Sequence, residues 1–170
     1  MENPVVTIKF NVGEIKLELF NDVPNSTNNF LNLANEGFYD GLKMHRVIPG
    51  FVAQGGCPLG TGTGGPGYSI DGEFLSNGFN NPHQHNRGVI AWARSAARNS
   101  AGSQFYITLE NTPHLNNDYA VFGRAIDGLE ILDIFDEYGS STGICTKEII
   151  IENVSIDLKG NVLNPVIKVK

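Results

Sequence analysis

Residues 44–56 read MHRVIPGFVAQGG. The stretch reads as buried strand on both sides of Pro49-Gly50, so Lys43 to Ile48 and Phe51 to Gly55 are expected as paired strands joined by a turn. Strict alternation then puts Val52 and Gln54 on one face, and Arg46 can reach that face from the neighbouring strand. A guanidinium and an amide would share a patch beside apolar side chains. Two explanations are open: an arginine paired with a distant carboxylate to hold the sheet, or one with a chemical task. The segment itself contains no acid.

Working outward, Val5 to Phe10 and Glu14 to Phe20 alternate with period two around Asn11-Val12-Gly13, the pattern of a hairpin. Asn25 to Glu36 changes period: Phe30, Leu33 and Ala34 share a helical face, with Pro24 or Ser26 at the start and Gly37 as a stop. A second helix is expected over Asp127 to Tyr138, capped by Asp127, with Leu129, Leu132 and Phe135 on one side. Further strands are expected at Gly88 to Ala93, Gln104 to Thr108, Val121 to Ala125 and Glu148 to Leu158. Eight strands and two helices suggest a mainly β fold, a closed eight-stranded antiparallel β-barrel capped by two α-helices, because closure removes exposed edges. The Gly-rich loop from Gly55 to Gly67 and the polar stretch Asn77 to Arg87 are then expected on the surface.

Composition agrees with that class. Of 170 residues, 41% are hydrophobic, 18% charged and 20 are glycine, above the usual glycine share of about 7%. A chain of this length buries about two-thirds of its unfolded surface, enough for one core, so residues 1–170 are read as a single domain. A net charge of -6 lacks the basic footprint of phosphate-backbone binding, which argues against nucleic acid. Met1-Glu2-Asn3-Pro4 has no basic or apolar leader, and no apolar run approaches the ~20 residues of a membrane span. The protein is therefore expected in the cytoplasm, with no membrane partner. Cys57 and Cys145 match no zinc spacing and are read as free thiols.

Three stretches imitate chemistry. Gly62-Thr63-Gly64-Gly65-Pro66-Gly67 matches G-x-G-x-x-G but opens no helix, so a nucleotide site is set aside. His83-x-His85 has no third ligand nearby, and its Asn, Pro and Gln neighbours read as a solvated loop. Ser95, Ser100 and Ser103 stand outside any nucleophile motif and read as loop hydrogen-bonders.

Residues 92–123, WARSAARNSAGSQFYITLENTPHLNNDYAVFG, place Gln104 beside Phe105-Tyr106, with Leu115 and Tyr119 close by in polar loops. This looks like an apolar pocket with a few polar donors. Together with MHRVIPGFVAQGG it closely resembles the cyclophilins, the peptidyl-prolyl cis-trans isomerases. The family pattern F-H-R-x-I-x-x-F-x-x-Q-G-G is met by Met44 to Gly56, and S-Q-F-[FY]-I by Ser103 to Ile107. The likeness runs from Val5 to about Leu158, and its two helix regions resemble NFLNLANEGFYDG and VFGRAIDGLEILD.

The resemblance implies that Arg46 is the catalytic arginine and Gln54 its orienting partner. Phe51, Val52, Tyr106 and Leu115 would hold the proline ring. Ala93 and Arg94 would grip substrate backbone, Gln104 would add a polar contact, and Tyr119 would form the rim. His114 stands where cyclosporin-sensitive members carry tryptophan, so weak cyclosporin binding is implied. Met44 replaces the usual Phe, and Val52 stands where Met is common. Arg94-Ser95 and the longer loop to Gln104 resemble single-domain prokaryotic-type members. The implied partners are proline-containing peptides and unfolded or partly folded proteins, with no cofactor and no metal. A non-catalytic proline-peptide binding, chaperone or scaffold module is the alternative from another class.

Overall fold

The computed structural model describes residues 2–169; Met1 and Lys170, the two ends of the expected domain, lie outside the described residues. Strands β1 (Val5–Phe10) and β2 (Gly13–Leu19) form the expected hairpin, with Phe10 paired to Gly13 across Asn11-Val12. Their alternation is real: Val6, Ile8, Phe10, Ile15, Leu17 and Leu19 are all buried. Helix α1 (Pro24–Asn35) follows, then β3 (Arg46–Ile48), β4 (Val52–Gly55), β5 (Val89–Trp92), β6 (Phe105–Thr108), β7 (Val121–Asp127), helix α2 (Glu130–Tyr138) and β8 (Ile151–Asp157). Two single 3-10 turns, Leu75–Asn77 and Pro113–Leu115, interrupt the longer loops.

All eight strands join one antiparallel sheet in the order β3-β4-β6-β5-β7-β2-β1-β8. The sheet curls round towards closure, but its edge strands β3 and β8 do not pair with each other. Residues 41–44 cross the gap: Gly41 and Met44 N–H groups donate to the Ile151 and Ile149 carbonyls at 2.7 and 2.9 Å, and Ile151 N–H donates to Leu42. The barrel is therefore sealed by the segment before β3, not by a β3–β8 ladder. That detour explains why β3 begins at Arg46 and β8 at Ile151, later than alternation suggests.

Each helix plugs the barrel with an aromatic ring. Phe30 of α1 stacks on Tyr39 at 5.0 Å and meets Phe105, Trp92 and Phe122. Phe135 of α2 sits edge-on to Phe10 at 5.1 Å. Burying such a side chain contributes about 1.5–3 kcal/mol, so these two rings attach the helices firmly. Pro24 occupies the first turn of α1, where its missing N–H costs nothing. The first-turn N–H groups of Asn25 and Ser26, which have no partner within the helix, are met by the buried carboxylate of Glu73, 2.6 Å from Ser26 N.

The start of α2 departs from expectation. Asp127 closes β7 opposite Lys16, and its carboxylate accepts from the Gly128 N–H, so it caps no helix. Gly128, at φ +83°, lies against the Glu14 carbonyl, where a side chain would collide, and the helix begins only at Glu130. Sheet pairing and that close approach outcompete the local capping signal. Among the described residues no helix is long and apolar enough to cross a membrane.

Candidate active site

In the β3–β4 hairpin Arg46 lies directly opposite Gln54, and Gln54 opposite Tyr106 of β6. Val47 and Ala53, the intervening pair, are fully buried. Alternation thus turns Arg46 and Gln54 outward together. Arg46 Nη1 donates to Gln54 Oε1 at 3.3 Å. Gln54 Nε2 donates to Gln104 Oε1 at 3.1 Å, and Gln104 Nε2 donates to the Gly62 and Gly64 carbonyls at 3.0 and 2.9 Å.

This chain has a direction. Two backbone carbonyls accept only, so the amino end of Gln104 must face them; its oxygen then faces Gln54, whose own oxygen faces Arg46. The Gly-rich loop that imitates a nucleotide fingerprint is an anchor for that chain. Gly143 adds the other side: a Cβ there would lie 2.8 Å from Arg46 Cγ, so the missing side chain makes room for the arginine stem. Arg46 is engaged by an amide, and the ion pairs of the described residues involve other groups.

Beside the guanidinium is a cavity of about 150 Å³, a size that holds a benzene ring. Its apolar walls are Phe51, Val52, Tyr106 and Leu115, with Arg46 and Gln54 along one side and Ala93, Arg94 and Tyr119 along the other. Val52 and Tyr106 are buried. A second groove of about 380 Å³ shares Gln54, Ala93 and Arg94 and extends past Gln104 to Tyr68. His114 lies outside the cavity, stacked on Phe51 at 5.6 Å and 20°. Of the expected site residues, nine surround one cavity while Gln104 and His114 flank it.

The Arg94 side chain differs from a free binding group. Its Nε and Nη2 donate to the Asp118 carbonyl at 3.0 and 2.7 Å, and Nη1 to those of Ser95 and Ala96. The guanidinium is held between the rings of Phe74 and Tyr119, 4.9 and 4.7 Å from their centres. The Ala93 N–H is engaged by the Gln104 carbonyl at 2.9 Å. Ser95, Ser100 and Ser103 bond to one another or to backbone carbonyls, as loop hydrogen-bonders do. Cys57 and Cys145 are free thiols.

The histidine pair corrects the reading of a solvated loop. His83 stacks on Phe20 at 3.8 Å and bonds to Asp22. His85 is buried, between the Tyr106 hydroxyl and Asn116. Desolvation lowers its pKa to about 4, with a smaller push from His114, against the raising effect of the Asn116 bond.

The cavity is ring-sized and largely apolar, and the Arg46 guanidinium on its lining is held by Gln54. The family model described as "Cyclophilin type peptidyl-prolyl cis-trans isomerase/CLD" matches residues 5–156. A peptidyl-prolyl cis-trans isomerase of Helicobacter pylori is 52% identical over 130 residues, 75% of this chain and 77% of that one. Peptidyl-prolyl cis-trans isomerase B of Bacillus subtilis is 49% identical over 141 residues, 82% and 92% of the two chains. A solved cyclophilin-type isomerase of Cryptosporidium parvum, studied in the presence of the dipeptide Ala-Pro, superposes with a TM-score of 0.83 at 36% identity, covering 90% of this chain and 98% of its own. This chain belongs to the cyclophilin-type peptidyl-prolyl cis-trans isomerases, and its activity is the rotation of X-Pro peptide bonds.

Proposed function

We propose that Arg46 is the catalytic residue and that Gln54 orients it, with the proline ring seated between Phe51, Val52, Tyr106 and Leu115. Rotation about a peptide bond costs about 18–20 kcal/mol because amide resonance must be broken, and X-Pro bonds isomerise unaided in roughly tens to hundreds of seconds. No covalent bond is broken. At the twisted transition state the prolyl nitrogen loses conjugation and gains a lone pair. A donor aimed at that nitrogen stabilises the transition state more than either ground state.

The observation that supports this reading is the directed chain from Gln104 through Gln54 to one nitrogen of Arg46, a residue that lines the cavity and keeps its other N–H groups outside that chain. Arginine suits the task because it stays protonated and its remaining N–H groups point away from the bond that holds it. Apolar walls exclude water and strengthen the hydrogen bond. Ala93, Arg94, Gln104 and Tyr119 border the path of the flanking peptide, which would include unfolded or partly folded proteins. His114, offering less apolar area than tryptophan, makes cyclosporin a weak ligand. Residues 1–170 would act as one domain in the cytoplasm, where the free thiols of Cys57 and Cys145 stay reduced.

The test is an isomerisation assay on a short X-Pro peptide. Losing a charge-assisted hydrogen bond made in the transition state costs about 1.5–3 kcal/mol, so Arg46→Ala should lower turnover about ten- to a hundred-fold in a folded protein. Wild-type turnover in that variant would falsify the assignment. Peptide binding without turnover in the parent would favour a binding module.

A further inference from the structure

His85 makes four hydrogen bonds to three residues around the cavity. Its carbonyl accepts from Thr112 N–H at 2.8 Å, its N–H donates to Asn116 Oδ1 at 2.6 Å, Nδ1 meets the same oxygen at 3.0 Å, and Nε2 meets Tyr106 Oη at 2.7 Å. The tautomer follows from the partners. The atom that accepts the His85 backbone N–H is the amide oxygen of Asn116, so Nδ1 must carry a proton to bond to it. In the neutral imidazole Nε2 is then a lone pair, and the Tyr106 hydroxyl donates to it. Burial at 1% exposure, with the pKa lowered to about 4, keeps the ring neutral at physiological pH.

Those bonds reach one wall of the cavity directly, Tyr106, and a second, Leu115, through its neighbours in the chain. Tyr106 is its floor on β6, and its ring lies within 17° of parallel to the imidazole. Thr112 and Asn116 bracket Leu115, whose N–H donates back to the Thr112 carbonyl at 3.0 Å. Tyr119 stands edge-on to both rings, 6.4 Å from His85 and 5.9 Å from Tyr106. His85 itself is absent from the lining.

We propose that His85 is a positioning residue of the proline pocket, fixing the Tyr106 ring by accepting its hydroxyl and fixing Leu115 through Thr112 and Asn116. The proposal rests on the reading that this cavity takes the proline ring. Its effect is on binding shared by cis, trans and twisted forms, because the walls touch the ring in all three while Arg46 is untouched; such binding appears in KM and not in kcat.

The test measures KM and kcat on an X-Pro peptide well below the unfolding temperature. His85→Leu leaves the Tyr106 hydroxyl and the Asn116 amide without this partner and should raise KM about ten-fold while kcat falls less than three-fold. His85→Gln supplies both an acceptor and a donor and should return KM to within about three-fold of the parent. A lower melting temperature with unchanged KM in His85→Leu would make His85 merely structural and overturn the proposal. If His85→Leu does not fold, Asn116→Ala decides: a KM raised at least three-fold supports the proposal, and an unchanged one overturns it. NMR signals of the Tyr106 ring and Leu115 methyls, read without peptide, separate this claim from the reading beneath it. A parent without X-Pro turnover sinks the proline-site reading. Unchanged Tyr106 and Leu115 signals in the His85 or Asn116 variant sink the role of His85.

Discussion

On β3, β4 and β6 the pocket residues stand on backbone ladders, Arg46 against Gln54 and Gln54 against Tyr106. Across the cavity, Arg94, Leu115 and Tyr119 stand on loops between strands, held by side chains that reach backbone groups far away in sequence. A ladder shares its load over many bonds, so losing one side chain leaves the strand in place. The loop half depends on two residues, Arg94 and His85, each joined to several partners. The strand half is therefore held by the more distributed set of bonds, which on the proposed reading suits the Arg46 donor, and the loop half is the side that single substitutions can alter.

The largest way to sharpen that contrast is to alter the loop half. At about 25 cal/mol per Å² of apolar surface, several tens of Å² and one added hydrogen bond are together worth about 2–3 kcal/mol. His114→Trp should accordingly tighten cyclosporin inhibition about thirty- to a hundred-fold. Inhibition curves for parent and variant with one peptide substrate check this; no tightening would contradict the placement of His114 at the rim. A smaller effect is expected from Arg94→Gln, which removes the guanidinium from between Phe74 and Tyr119 and frees the Asp118 carbonyl. KM should rise about five- to ten-fold, with kcat less affected. A wild-type KM would show that the rings and strands hold Tyr119 without it.

The smallest effect is one of pH on stability. His85 has a folded pKa of about 4 against an ordinary value near 6.5. Because the folded pKa is depressed, the unfolded chain takes up the proton first. Its contribution is full above about pH 6.5 and is lost as pH falls towards 4. Between pH 7 and 5.5 this amounts to about 1 kcal/mol. His45, lowered chiefly by burial and then by Arg46, acts in the same direction, while Glu73, raised by burial, gains stability as pH falls. Urea unfolding of the parent and His85→Gln at both pH values isolates the His85 share. The parent should lose about 1 kcal/mol more than the variant, and equal losses would contradict a buried neutral imidazole.

The two halves also differ in how far the sequence reveals them. The hairpin from Lys43 to Gly55 announces itself because period two and Pro49-Gly50 are local, and alternation alone brings Arg46 and Gln54 together. The eight strands and both helices are legible for the same reason. His85 is not, since its neighbours Gln84 and Asn86 are polar while its burial is decided by Tyr106 and Asn116, 21 and 31 residues away. Glu73 at the start of α1, 47 residues from Ser26, is hidden in the same way. Gly143 carries no signal at all, because what matters there is the space it leaves for Arg46. Asp127 misleads, since a good capping residue is drawn into β7. Leu115 and Tyr119 show in the sequence as apolar and aromatic residues among polar loops, which suggests a pocket, while their particular places in it come only with the family resemblance.

The central claim is that the Arg46 guanidinium binds the twisted bond and not the planar one. Its most direct test is to measure, for parent and Arg46→Ala, both the affinity for an X-Pro peptide by NMR titration and the exchange rate between its bound cis and trans forms. The exchange rate should fall about ten- to a hundred-fold while Kd changes less than about three-fold. A Kd that weakens in step with the rate would mean that Arg46 holds the ground state, and would contradict the account.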